Sequence, residues 1–135
     1  LNHPSVLKFF NFYLTNFEQE PFPTIITELA TNSSLSHIID LERQGCSPSL
    51  WNDTMKLINI SGIASGMSYL HAHDIIHCEL KPENILLYDY LHLKISDFGL
   101  EKIVDFISIN MNVQSLHGLN GVLLYKAPEI ITEDM

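Results

Sequence analysis

Four side chains between residues 79 and 97 have the types and order needed to handle a phosphoryl group: Glu79, Lys81, Asn84 and Asp97. Asp97, in the string Ser96-Asp97-Phe98-Gly99-Leu100, offers a carboxylate from a turn after an apolar strand, and Asn84 adds a neutral oxygen from the loop before it. Both are hard donors suited to a cation such as magnesium. Lys81 supplies an ammonium for phosphate oxygens, and Glu79 a carboxylate that can orient an alcohol and take its proton. Moving a γ-phosphoryl group needs these parts together: metal ions on the oxygens, a cation near the charge in flight, and an acceptor aimed in line.

A different chemistry is suggested by His71, His73, His77 and Cys78, a His/Cys cluster of the kind that binds zinc. Its spacing matches no closed tetrahedral set, and a core position for His77, beneath the turn at Asp97, is the simpler expectation.

The elements that must position these groups can be read from periodicity and punctuation. Residues 6–14 and 24–28 are rich in β-branched and aromatic side chains and are separated by a polar, proline-bearing stretch, which predicts two antiparallel strands and their loop. After Asn32-Ser33-Ser34, Leu35, Ile38, Ile39 and Glu42 recur at helical spacing up to Gly45, so a serine-capped amphipathic helix is expected there. Residues 51–71 carry Met55, Ile60, Ile63, Met67 and Leu70 as the buried stripe of a long helix. Within it, Gly62 and Gly66 mark close approach to another backbone, since each weakens an isolated helix by ~1 kcal/mol. Residues 85–87 and 93–95 predict a hairpin that leads straight into Asp97.

The strings His77-Cys78-Glu79-Leu80-Lys81-Pro82-Glu83-Asn84, Asp97-Phe98-Gly99 and Ala127-Pro128-Glu129, in that order, make the chain resemble the protein kinase family. There the first is the catalytic loop, normally His-Arg-Asp-Leu-Lys-Pro-Glu-Asn; the second binds metal; the third closes the activation segment. The resemblance implies an α+β, protein-kinase-like fold, present in part: residues 1–30 as small-lobe strands and hinge, residues 31–135 as the large lobe through Ala-Pro-Glu. It also implies that the glycine-rich loop and the phosphate-pairing lysine precede Leu1. It implies ATP and magnesium as cofactors, with Asn84 and Asp97 on the metal, Lys81 on the γ-phosphate and Glu79 at the acceptor hydroxyl. Thr27 matches the gatekeeper, Glu28, Leu29 and Ala30 the hinge whose backbone bonds the adenine edge, and Leu86 the floor beneath the ring. Lys-Pro-Glu-Asn resembles serine/threonine kinases, so the implied reaction is ATP-dependent transfer to serine or threonine of a protein substrate in signalling.

Three departures bear on that reaction. Glu79 and Cys78 stand where the family has aspartate and arginine, and Gly121-Val122-Leu123 replaces Gly-Thr-Pro. The lost arginine is the fork that grips a phosphorylated activation loop, here with Ser108 and Ser115 as candidate phosphosites. A pseudokinase that works as a scaffold is therefore the alternative, and an eroded fragment with no stable product a third reading.

Composition narrows the partners. Of 135 residues, 46% are hydrophobic and 17% charged, and seven basic against sixteen acidic side chains give a net charge of −9. Nucleic acid and anionic lipid both need a positive face, so neither is expected as partner. No apolar run reaches the ~18–20 residues that span a bilayer. Two cysteines without a signal peptide suggest a reduced, cytoplasmic setting, and a chain that starts at Leu1 suggests a piece of a longer protein.

Overall fold

The computed structural model describes residues 1–99 and 123–133; Ser108, Ser115, Gly121 and Val122 lie outside the described residues. Mixed helix and small antiparallel sheets follow one another as β1 (Phe9–Tyr13), β2 (Thr24–Thr27), α1 (Leu35–Arg43), α2 (Asp53–Ala72), β3 (Ile85–Leu87), β4 (Leu93–Ile95) and α3 (Pro128–Glu133). β1 and β2 pair antiparallel, with an irregularity between Phe9 and Asn11, and β3 pairs with β4 in the register Ile85↔Ile95, Leu86↔Lys94, Leu87↔Leu93. The first pair is shorter than expected, because residues 6 and 7 leave β1 to meet β4 instead. Val6 bridges Ile95 in parallel, the Leu7 N–H donates to Ile95 O at 2.9 Å, and the Ile95 N–H donates to Ser5 O at 2.8 Å.

Both long helices start at side-chain caps. Ser34 Oγ accepts from the His37 N–H, and Asn52 Oδ1 accepts from the Met55 N–H at 2.9 Å, each satisfying an amide the first turn leaves without a carbonyl. α1 ends before Gly45, whose φ of 72° is the left-handed value that glycine adopts freely. The start of α2 is tied back to α1 through Glu42, which accepts from Trp51 Nε1 at 3.2 Å and from Lys56 Nζ.

The core gathers Val6, Ile38, Met55, Leu70, Leu87 and Ile95, with Leu70, Leu87 and Ile95 fully buried. α2 lies on β4 closely enough that a Cβ on Gly66 would stand 2.7 Å from Ile95 Cδ1 and 3.0 Å from Ser5 O. The expected close approach is therefore real at Gly66. The expected stripe is corrected at Ile60, which is 63% exposed. The buried face runs through Asn59 instead, because its Nδ2 donates to Leu91 O at 3.1 Å and holds the β3–β4 turn against the helix. A buried, hydrogen-bonded amide is invisible to a hydrophobic pattern.

Candidate catalytic loop and nucleotide hinge

The loop after α2 is organised by His77, 4% exposed. Its Nε2 lies 2.7 Å from Ser96 O and its Nδ1 3.2 Å from the Glu79 N–H. A carbonyl can only accept and an amide can only donate, so the ring is neutral with its proton on Nε2. Burial pulls its pKa below the usual histidine value, outweighing the bonds and the Asp97 and Glu79 charges that act the other way. With both nitrogens engaged, His77 has none left for a metal. Among the described residues no group of three His, Cys, Asp or Glu side chains is placed to hold one, so the zinc alternative finds no support.

Asn84 closes the same loop from its far end. Its Nδ2 donates to Glu79 O at 2.8 Å, while its own carbonyl accepts from Ser96 N–H at 2.8 Å and Ser96 Oγ at 3.0 Å. Ser96, the residue before Asp97, thus holds the loop at both ends, through His77 and through Asn84. The amide bond to Glu79 O leaves Asn84 Oδ1 as the acceptor not used within the loop. Asp97 is exposed, at a φ of 57°, and Phe98 beside it packs against the core. The donor set suits a divalent cation: two oxygen donors from adjoining segments fit one that keeps waters and takes phosphate oxygens for the rest of its shell.

Lys81 and Glu79 are brought together, Nζ to Oε2 at 3.8 Å, both half-buried. Leu80 between them packs against the core and fixes the loop between the two charges. Cys78 is exposed at a φ of 68°, so it does not fill the space of a missing arginine, and neither cysteine is in a disulfide.

The residues that the resemblance assigns to the nucleotide lie along the exit from β2, apart from Leu86 on β3. Thr27 ends the strand, and its Oγ1 donates to Glu28 O at 3.1 Å. The Glu28 N–H is engaged by Lys8 O at 3.0 Å. Leu29 is 82% exposed and Ala30 half-buried, and the backbone of neither is hydrogen-bonded within the described residues. Ala30 therefore offers the open edge. Leu86, half-buried on β3, is fixed by its pairing with Lys94 and by a bridge to Ser34. Ser96 and Lys94 are the residues that sequence reasoning missed. Two of the three bonds of Ser96 run through its backbone and leave no signal, and its hydroxyl bonds a backbone carbonyl that no motif marks; Lys94 leaves one, a lone charge between Leu93 and Ile95 in a buried strand.

This arrangement meets its relatives in known proteins. The protein kinase domain model matches residues 1–135. The chain belongs to the protein kinase family. It is 32% identical over 130 residues to the serine/threonine-protein kinase RUNKEL of Arabidopsis thaliana, covering 96% of this chain and 8% of that protein. To the serine/threonine-protein kinase fused of Drosophila melanogaster it is 29% identical over 133 residues, 98% of this chain and 14% of that one. To the G-type lectin S-receptor-like serine/threonine-protein kinase LECRK4 of Oryza sativa subsp. japonica it is 38% identical over 108 residues, covering 78% and 12%. The chain thus spans a small part of the length of these kinases. Kinases use ATP with a divalent metal and act on protein substrates, and no described helix is long and apolar enough to cross a membrane.

Proposed function

We propose that this chain carries the hinge, catalytic loop and metal-binding turn of a kinase that transfers the γ-phosphoryl group of ATP to serine or threonine of another protein, with magnesium as the metal. Residues 1–30 contribute strands and hinge, and residues 31–135 the large-lobe portion. The observation that supports this most is His77, whose two nitrogens set the backbone of Glu79 and the strand end before Asp97 in one register. A single buried ring thereby holds the backbone of Glu79 and the strand end that leads into Asp97.

Bound through Asp97 and Asn84, magnesium supplies charge neutralisation on the phosphate oxygens. Ala30 presents backbone groups to the adenine edge above Leu86. Lys81 places its ammonium where negative charge accumulates, and Glu79 orients the acceptor hydroxyl and receives its proton. An intracellular location follows from the need for ATP. The test is transfer from ATP to a serine- or threonine-containing peptide by the full-length protein with magnesium. Transfer lost in Asp97→Asn supports the reading, whereas transfer that survives that change rejects these residue roles.

A pseudokinase is the second reading, favoured by one contact. Glu79 reaches Lys81 at 3.8 Å, so the carboxylate is drawn toward a cation instead of standing clear for an acceptor. Binding of magnesium-ATP without turnover by the full-length protein would select it.

A further inference from the structure

Behind the hinge, Glu28 and Lys94 make an ion pair that is largely withdrawn from solvent, with side chains 21% and 24% exposed. Lys94 Nζ donates to Glu28 Oε1 at 2.7 Å, and the same oxygen accepts the Lys8 N–H at 2.6 Å. With its own N–H on Lys8 O at 3.0 Å, Glu28 is fixed by backbone and side chain together. Burial alone would raise its carboxyl pKa, but the bonds from Lys94 and Lys8 outweigh it and the net shift is downward.

Lys94 is placed to do more than neutralise a charge. It stands directly across from Leu86 in the β3–β4 pair, and directly opposed residues share a face of the sheet. Its ammonium also lies 4.8 Å from the centre of the Tyr88 ring, which limits where the side chain can go. Leu29 and Ala30, by contrast, have no backbone hydrogen bond of their own among the described residues. The position of the hinge relative to the adenine floor is therefore set by the one residue before them.

We propose that the Glu28–Lys94 pair is a positioning latch that fixes the separation between the hinge and Leu86 and so sets affinity for the adenine base, without touching it. This rests on the nucleotide reading given above. In the full-length protein, Lys94→Met keeps the stem and removes the charge, and should raise the ATP KM by ~10-fold while kcat and the peptide KM stay within about twofold. Lys94→Arg should restore most of the loss. A general loss of structure would move all three constants and would not be rescued. Glu28→Gln, which retains an oxygen for the Lys8 N–H, gives a second variant should Lys94→Met fold poorly.

Amide hydrogen exchange without nucleotide reads the latch independently of ATP. Exchange at the Lys8 and Glu28 amides, which are hydrogen-bonded to Glu28 Oε1 and Lys8 O, should quicken in Lys94→Met while that of buried α2 amides is unchanged. An unchanged ATP KM in a folded variant overturns the proposal, as does unchanged exchange at these two amides. A wild-type protein that binds no adenine nucleotide overturns the nucleotide reading instead, and there faster hinge exchange still supports a latch.

Discussion

Glu79 carries its carboxylate one methylene farther from the backbone than the aspartate usual in this family, while its N–H and C=O are fixed by His77 and Asn84. The extra length cannot be absorbed by the backbone, so it displaces the carboxylate by ~1 Å, a misplacement that can lower a rate by ~100-fold. If the full-length protein turns over, Glu79→Asp should raise kcat by ~10–100-fold with nucleotide affinity nearly unchanged, since in the proposed reading the residue addresses the acceptor. Steady-state kinetics on ATP and peptide decide it: a lower rate shows that the loop has adapted to glutamate, and no rate despite magnesium-ATP binding favours the pseudokinase. His77 gives a second prediction at this scale. Its folded pKa lies below the ordinary value of 6.5, so between the two values the unfolded chain binds a proton that the folded one excludes. Its contribution is fully present above the ordinary value and is lost as pH falls through it toward the folded value. Urea midpoints should therefore drop more steeply with acid in the wild type than in His77→Gln, and parallel curves would remove His77 as the source.

At the scale of elements, the two glycines of α2 make opposite predictions. Alanine at either gains ~1 kcal/mol in helix propensity. At Gly66 the new methyl would meet Ile95 Cδ1 at 2.7 Å and the Ser5 carbonyl at 3.0 Å, and overpacking of that kind costs ~1–3 kcal/mol. At Gly62 its nearest neighbours, Ser5 Oγ and Leu93 Cγ, stand 3.4 and 3.5 Å away. Gly62→Ala should raise the urea midpoint and Gly66→Ala lower it, and equal shifts would refute the close contact of α2 with β4. Elements with strong periodicity or punctuation were legible: the serine cap and Gly45 bounded α1, and the short apolar segments Ile85–Leu87 and Leu93–Ile95 gave the second hairpin. The family was legible through its motifs, which also named the candidate site residues, and His77, expected in the core beneath the Asp97 turn, is buried there. Ile60 misled because apolar character cannot tell an exposed side chain from a buried one when Asn59 beside it takes the core position through its amide. The engagement of Glu28 was hidden for a similar reason, since its partners Lys8 and Lys94 are 20 and 66 residues away in sequence.

At the scale of the whole molecule, two elements among those that leave apolar side chains in solvent carry several each. Leu57, Ile58 and Ile60 face outward from α2, and Phe9, Phe10, Phe17 and Phe22 from the β1–β2 hairpin. Clusters of this kind are sites of association, so the 135-residue chain alone should bind a hydrophobic dye and self-associate in sedimentation. A dye-silent monomer with one cooperative melt would contradict this. The hairpin has a further property. Its fastenings are all at one end: Val6 and Leu7 on Ile95, and Glu28 on Lys8 and Lys94. Among the described residues, every hydrogen bond of residues 11–24 stays within the hairpin itself. Five residues of β1, at ~3.4 Å each, project from that root. The hairpin is thus a cantilever, stiff where it is clamped and with its largest amplitude at the aromatic tip. A change at the clamp, in Glu28 or Ile95, will be felt most by Phe17 and Phe22, which neither residue touches.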